Sequence, residues 1–568
     1  MQPVSTAHAG TVPTSRGMTS AEKRVIIAAS LGTVLELYDF FLVGILANEL
    51  AATFFSGLNP TAAYIFTLLG FAAGFALRPF GAIVFGRIGD LIGRKRTFLV
   101  TIVVMGIGTF AIGLIPPYAT IGLAAPVLFM SLRLLQGLAL GGEFSGAVIY
   151  VAEHAPARAR GSWTSWIILT AALGLLLAFA VVLPLRLSLG KSVFFAWGWR
   201  IPFLVSSLLL AISIWIRLKL HESPEFARMK AEGSLSKAPV AETFGQWRNL
   251  KLLLVALFGI VPGQAVVWYT GQFYAMFFLG KVLKVDEGIT NLLVIGATVA
   301  TAPLYIFFGW LSDRIGRKPV YLAGLFLAAV FFIPLFKGLN HYANPALEQA
   351  QTAAPVVVVA DTSHCSLQFN PTGTIKYDSS CDIAKASLAA AGVNYRVVSA
   401  PAGSVAKIMI GTETVSSYEA NVPDRSAWAE HFKTALNQAL QRSGHTSGGA
   451  DSSTMNKPMA FVLLLVILSF GTMTFASSTA MLVELFPSRI RYTAMSFPYH
   501  LGAAIFGGFL PAAAFAIVAA TGNIISGLWY PVVVASIAFV VTLVFARESS
   551  GRSLGGDASA SQAVREAQ

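Results

Sequence analysis

The ten residues from Gly86 to Lys95, Gly-Arg-Ile-Gly-Asp-Leu-Ile-Gly-Arg-Lys, come back as Gly-Trp-Leu-Ser-Asp-Arg-Ile-Gly-Arg-Lys from Gly309 to Lys318, each between two long apolar runs. Gly86, Asp90, Gly93, Arg94 and Lys95 thereby reappear 223 positions on as Gly309, Asp313, Gly316, Arg317 and Lys318. A second repeat, Glu153-x-x-Pro156-x-x-x-Arg160, returns as Glu484-x-x-Pro487-x-x-x-Arg491. The chain is therefore read as two related halves. In a membrane protein that architecture belongs to secondary transporters, with the substrate site between the halves.

Composition decides that the runs are membrane spans. Of 568 residues, 55% are hydrophobic and 12% charged, about half the charge of a soluble domain. Crossing a bilayer takes roughly 20 apolar residues. Twelve runs qualify: 24–47, 61–86, 97–115, 124–152, 161–184, 200–218, 252–279, 289–310, 319–338, 458–484, 493–520 and 526–547. The expected fold is an all-α bundle of twelve transmembrane helices in two six-helix halves. The polar stretch from Met1 to Ser20 shows no signal-peptide pattern.

The net charge of +13 reports topology rather than a nucleic-acid partner. Arg87, Arg94 to Arg96, Arg158, Arg160, Arg314, Arg317, Lys318, Arg489 and Arg491 fall in loops of one side, with the run from Arg217 to Lys251. The short loops of the opposite side hold only Arg186, Lys191, Lys281 and Lys284. By the positive-inside rule both termini are expected in the cytoplasm.

The repeats also locate an insertion. The second recurs at an offset of 331 and the first at 223, and the excess of the second falls between the ninth and tenth runs, where the apolar pattern lapses. The expected domains are 1–21 as a disordered N-terminus, 22–218 as the first half and 219–250 as a cytoplasmic linker. Then follow 251–339 as spans seven to nine, 340–457 as a periplasmic insert, 458–547 as the last three spans, and 548–568 as a cytoplasmic tail, disordered after Ser549. The insert reads as a small α/β domain. Strands are expected at Val356–Ala360, Tyr395–Ser399 and Val405–Ile410, and helices at Asp382–Ala391 and Ser426–Leu440. A Gly/Ser tract, Ser443–Ser453, leads back to the membrane. Cys365 and Cys381, the only cysteines of the chain, both fall in the insert. An outside location favours a disulfide between them. No regular Cys/His ligand spacing suggests a metal.

The candidates for chemistry are ionisable groups inside spans, which are costly in hydrocarbon and functional by default. The first span carries Glu36 and Asp39, three apart and so on nearly one face. The fourth carries Arg133, with Gln136 one turn away on the same face, and Glu143 deeper. With the rise of an α-helix, about 1.5 Å per residue, Asp39 and Arg133 reach similar depth, so they can pair. Glu36, Asp39 and Arg133 are the expected proton-coupling set. Arg133 can instead take a substrate carboxylate with its planar fork. Arg78 is open between snorkelling to the surface and a functional role. Tyr38, Gln136, Trp268, Gln272, Tyr499 and His500 complete the expected substrate contacts, with Gln264, Tyr269 and Tyr274 nearby. The repeated loop residues, together with Glu153, Arg160, Glu484 and Arg491, form the expected gate. Asp90 there is placed to face either a helix N-terminus or a basic partner.

The G-x-x-x-D-x-x-G-R-K loop, present twice, resembles the major facilitator superfamily. Arg78-Pro79-x-Gly81, Arg133-x-x-Gln136-Gly137-x-x-x-Gly141-Gly142-Glu143, Gly198-Trp199-Arg200-Ile201-Pro202-Phe203 and Glu222-Ser223-Pro224-Glu225-Phe226 resemble its metabolite:proton symporter branch. That branch includes permeases for α-ketoglutarate, citrate, shikimate, and proline or betaine. The last of these strings is shared with sugar porters. The resemblance covers roughly 22–338 and 458–547 and says nothing of the insert. It implies the major facilitator fold and proton-coupled symport of a small organic acid or zwitterion in a bacterial cytoplasmic membrane. It also implies no cofactor beyond the proton gradient and work as a monomer.

An enzyme is not expected, since no nucleophile elbow, metal-binding His/Glu spacing or phosphate loop is present. A sugar-porter-like facilitator and a nutrient sensor using the insert stay open as alternatives. A periplasmic partner for the insert also stays open.

Overall fold

The structure is a computed structural model and describes residues 20–57, 60–366, 377–445, 449–552 and 554. The N-terminal stretch 1–19, residues 446–448 of the Gly/Ser tract and most of the 548–568 tail lie outside the described residues. Each of the twelve apolar runs falls on a helix. Eleven of these helices are long and apolar enough to cross a membrane: Lys23–Ile45, Arg94–Leu114, Ala124–His154, Arg160–Gly198, Arg200–Leu218, Trp247–Val282, Glu287–Ile315, Arg317–Ala343, Lys457–Leu485, Arg491–Thr521 and Ser526–Phe545. The helix Pro60–Ile92 is the further one and carries the second run. They are called spans 1 to 12 in chain order. Helices are required because bilayer hydrocarbon leaves no partner for an unpaired backbone group. The chain is a multi-pass membrane protein.

The halves meet along spans 5 and 8 and along spans 2 and 11. Within the first half, spans 2 and 4 pack closely: a Cβ on Gly141 would stand 2.2 Å from the carbonyl oxygen of Arg78. Small residues permit that approach. Span 7 contains π-helical turns at Ala256–Ile260, Thr270–Tyr274 and Phe278–Val282, and span 11 one at Ala503–Gly508. Such turns concentrate at functional sites. The segment after span 6 is shorter on coil than a tether suggests and carries helices Pro224–Ala231 and Pro239–Gly245.

Between spans 9 and 10 lies a four-stranded sheet of order β2-β1-β3-β4, with β1 Val356–Ala360, β2 Tyr395–Ser399, β3 Lys407–Ile410 and β4 Glu413–Ser416. β1 runs parallel to β2 and antiparallel to β3. Helices Ser380–Ala391 and Arg425–Arg442 cover it, and Val358, Ile408, Leu388 and Leu436 are among the buried core residues. Cys365 and Cys381 are joined in a disulfide.

Candidate functional site

At the end of the bundle away from the sheet, the two repeated loops do the same thing on opposite halves. Asp90 accepts the backbone N–H groups of Tyr492 and Thr493, at 3.2 and 2.9 Å, and so caps span 11. Asp313 accepts those of Gly161 and Ser162, at 2.8 and 2.7 Å, and caps span 5. A helix N-terminus offers unpaired donors and a positive dipole end, both suited to a carboxylate. Each aspartate also pairs with an arginine of its own loop, Asp90 with Arg94 and Asp313 with Arg317. Glu153 then bridges Arg94 at 3.6 Å and Arg491 at 3.0 Å. Glu484 bridges Arg317 and Arg160, both at 3.3 Å.

A third repeat completes the arrangement. Glu222 accepts the backbone N–H of Arg94 at 2.9 Å, and Ser223 donates to Glu153. Glu548 accepts that of Arg317 at 2.9 Å, and Ser549 donates to Glu484 at 2.7 Å. Gly93 and Gly316 have φ of 115° and 106°, which disfavours a side chain. A Cβ there would meet the carboxylates of Glu222 and Glu548 at 2.2 and 2.7 Å. The beginning of the tail is therefore held in place. Arg160 also donates to the carbonyl of Arg552 at 2.7 Å.

A second polar cluster lies inside the first half. Arg133 donates to Asp39 at 2.7 Å and to Gln136 at 2.7 Å. Gln136 donates to Asp39 at 3.2 Å and to Thr109 at 2.9 Å. Asp39 and Gln136 are fully buried and Arg133 is 4% exposed. Gln136 thus bonds to both ions of a pair that has lost its water, while Arg133 Nε is buried with no hydrogen-bond partner among the described residues. Towards the repeated loops, Glu143 accepts from Arg217 at 2.6 Å and from Thr101 at 2.6 Å.

Between the halves lies a cavity of about 90 Å³. Glu36 and Phe40 from span 1, Arg78 from span 2, Phe144 from span 4, Trp268 and Gln264 from span 7, Phe475 from span 10, and Tyr499 and His500 from span 11 are among its walls. Phe144 stacks on Tyr499 with ring centres 4.9 Å apart, and Trp268 meets Phe475 edge-on at 5.9 Å. Trp268 is fixed by donating its indole N–H to Tyr305 at 2.9 Å. The Arg78 guanidinium lies over the Phe40 ring at 5.8 Å. Glu36 Oε2 and His500 Nε2 are buried with no hydrogen-bond partner among the described residues.

The family model described as "Sugar (and other) transporter" matches residues 25–361. The chain belongs to that transporter family. It is 34% identical over 330 residues to a proline/betaine transporter of Escherichia coli (strain K12), an alignment covering 56% of this chain and 65% of that one. It is 33% identical over 347 residues to the alpha-ketoglutarate permease of the same organism, covering 59% and 77%. A solved structure titled as the MFS (major facilitator superfamily) proton:xylose symporter bound to 6-bromo-6-deoxy-D-glucose superposes with a TM-score of 0.60 at 16% identity, over 95% of this chain and 99% of that one. The fold is that of the major facilitator superfamily.

Within this family member the expected substrate contacts divide into two groups. Trp268, Tyr499 and His500 line the cavity, together with Glu36. Arg133 and Gln136 sit behind it with Asp39, and Tyr38 donates to the carbonyl of Pro202 at 2.7 Å in the core of the first half. Gln272 accepts from Thr298 at 3.0 Å and is not among the cavity walls. Glu36 and Asp39 do not act on one face: the first points to the cavity and the second to Arg133, because three residues leave a rotation of roughly 60° around a helix of about 3.6 residues per turn. Arg78 lies in the cavity wall rather than at the surface. Sequence reasoning missed Arg217 as the partner of Glu143, counting it as loop charge. It also missed the Glu548-Ser549 match to Glu222-Ser223, although the dipeptide after the last span of each half is visible.

Proposed function

We propose that this protein is a secondary active transporter that couples entry of a small organic acid or zwitterionic metabolite to protons by alternating access. The observation carrying the reading is the buried Asp39–Arg133 pair, 2.7 Å apart, one turn of span 1 from the cavity-lining Glu36. A buried ion pair contributes little net stability over apolar packing. It is useful when its partners can be exchanged. A proton arriving at Asp39 releases Arg133 and Gln136, and span 1 carries that change directly to the cavity wall at Glu36. Proton and solute loading then act on one helix at the interface of the halves.

The crossed caps of Asp90 and Asp313 supply the other requirement. They tie the two halves together at one end, so a rocking motion that opens this end must break both. The surplus of Lys and Arg in the loops of this end supports a cytoplasmic assignment for it and for both termini, with the sheet on the outer side of a bacterial inner membrane. The proton gradient is the energy source, no cofactor is required, and one chain encloses the cavity and suffices as a monomer.

The test is uptake into proteoliposomes carrying purified protein under an imposed inward proton gradient. Accumulation of a labelled organic acid or zwitterion that collapses with a protonophore is the expected result. Uptake that equilibrates without accumulating, and ignores the gradient, would reject symport.

A further inference from the structure

The two cysteines of the insert are joined across a strand-to-helix crossover. Cys365 stands in the loop after β1, and Cys381 sits in the first turn of the helix Ser380–Ala391, which leads on to the parallel strand β2. Cys381 is 2% exposed, whereas Cys365 is half-buried between the exposed residues His364 and Ser366. From this placement and unequal exposure we propose that the pair is a thiol–disulfide exchange site, which oxidises thiols of the outer compartment. Cys365 is the sulfur attacked and Cys381 the one released. This goes beyond the transport reading and takes from it only the outer placement of the insert.

The fold sets the position of the pair. In parallel strand–helix–strand units, functional groups gather at the carboxyl ends of the strands. The loops after β1 and β2 meet there, where Asp361 accepts the backbone N–H of Gly403 at 2.8 Å. The opposite end is the anchored one. Tyr395, at the start of β2, donates to the carbonyl of Gly522, and Lys284 donates to the carbonyl of Ala390 near the end of the helix. At about 1.5 Å per residue, Cys381 lies roughly 14 Å along the helix from Ala390. The sulfurs are therefore held away from the spans and their loops. Exchange proteins of the thioredoxin kind also keep their cysteines beside the helix of such a unit, a likeness of fold alone. Their cysteines share one short turn, while here the sequence separation is 16.

Exposed disulfides are the labile and catalytic ones, and here one sulfur of the two is within reach. A partner thiolate attacks Cys365 Sγ and forms a new S–S bond. The Cys365–Cys381 bond breaks, and its electron pair leaves with Cys381. A second thiolate, from the same protein dithiol or from another small thiol, then attacks the partner's sulfur in that mixed disulfide and releases Cys365. Two electrons have passed to the insert, whose disulfide is the oxidant, and its two cysteines take up the protons the partner thiols gave up. Exchange is faster when the leaving thiol is acidic. Cys381 leaves into the first turn of a helix, where the dipole favours a thiolate. Lys385, 6% exposed, stands one turn further along the same face. Asp382 and Glu419 oppose the thiolate, partly offset by the donors they hold. Asp382 accepts the N–H and hydroxyl of Ser366, and Glu419 the N–H of Ser380.

The experiment uses the oxidised full chain in detergent and two probes, reduced glutathione and reduced, unfolded ribonuclease as a protein dithiol. Thiols are blocked at timed intervals and the products read by mass. The pair should open at least tenfold faster than oxidised glutathione exchanges with the same thiol, with the transient adduct on Cys365. Cys381→Ser, offered oxidised glutathione, should retain an adduct on Cys365, and Cys365→Ser should take up none on the buried Cys381. Should either variant misfold, the wild-type rate decides alone. Oxidation of the ribonuclease would make the partner a protein dithiol, and opening by glutathione alone would make it a small thiol; both uphold the exchange site. A pair that stays closed with both probes until denaturant is added would overturn the proposal and leave a structural staple. An adduct on Cys381 in place of Cys365 would overturn the roles given to the two sulfurs. Uptake is not measured in this experiment, so symport stands or falls separately.

Discussion

Asp90 accepts the backbone N–H of Thr493 at 2.9 Å although 403 positions separate them. The contact joins a loop of the first half to the start of a helix in the second. Asp313 makes the reciprocal contact to span 5, so each half holds the other by a helix end. A capping contact is short-ranged and directional, which suits a latch: it is lost within a small displacement instead of fading gradually.

Asp90→Ala removes the side chain that caps span 11. Losing an N-cap costs about 1 kcal/mol, which is roughly a fivefold shift of an equilibrium towards opening of this end. Asp313→Ala should act alike from the other half. Thiol labelling of a cysteine placed at Ser496, buried in the closed form, should quicken by about that factor. An unchanged rate in both variants would show that the caps do not hold the closed state.

Asp39→Asn keeps the shape of the buried cluster and removes its charge. Proton-driven accumulation should fall by about two orders of magnitude, the scale typical of losing a positioned proton carrier, while solute exchange across the membrane persists. Arg133→Lys should fail as well, since one ammonium cannot hold Asp39 and Gln136 with the fixed geometry of a guanidinium. Uptake in Asp39→Asn with an unaltered pH profile would move the proton site elsewhere, with His500 next to be tested.

Cys365 and Cys381 close a loop with a sequence separation of 16. In the chain-entropy model that closure is worth about 3 kcal/mol. Replacing both by serine should raise proteolytic nicking within residues 377–445 by roughly a hundredfold when opening is fast. Fragment mapping of the full-length variant in detergent checks this. Equal nicking rates would show that the sheet is held by its core alone.

Glu430→Cys places a thiol on an exposed face of the insert helix Arg425–Arg442. An impermeant thiol reagent should label it on intact cells at the same rate as after lysis. Labelling that requires lysis would reverse the orientation proposed for the whole chain.

The spans were readable because hydropathy along a bilayer-length window is a local property, and the insert because two repeats measured its length. The strands Val356–Ala360 and Tyr395–Ser399 occur where the apolar runs place them, while the third begins at Lys407 rather than Val405. β4 was not foreseen: Glu413-Thr-Val-Ser416 is short and polar, and only its antiparallel pairing with β3 makes it a strand. The same limit applies to the cavity. Depth along a helix can be counted from sequence, which allowed Asp39 and Arg133 to be paired. The direction a residue faces depends on how its helix is rotated by its neighbours. That rotation separated Glu36 from Asp39, turned Arg78 inward and left Tyr38 in the core.

The sheet domain is moored to the second half at two places. Lys284, in the loop after span 7, donates to the carbonyl of Ala390, and its own carbonyl accepts from Ala450. Tyr395 donates its N–H to the carbonyl of Gly522, and Asn394 accepts from the N–H of Ile524, both in the loop between spans 11 and 12. Among the described residues these hydrogen bonds from the domain to the spans and their loops end in the second half. In the proposed rocking of the halves, the domain travels with the second half as a pointer does with its dial. A fluorophore at Glu430 and a second on the end of span 5 nearer the sheet would register each such excursion as a change in energy transfer, making the domain a built-in gauge of the proposed cycle.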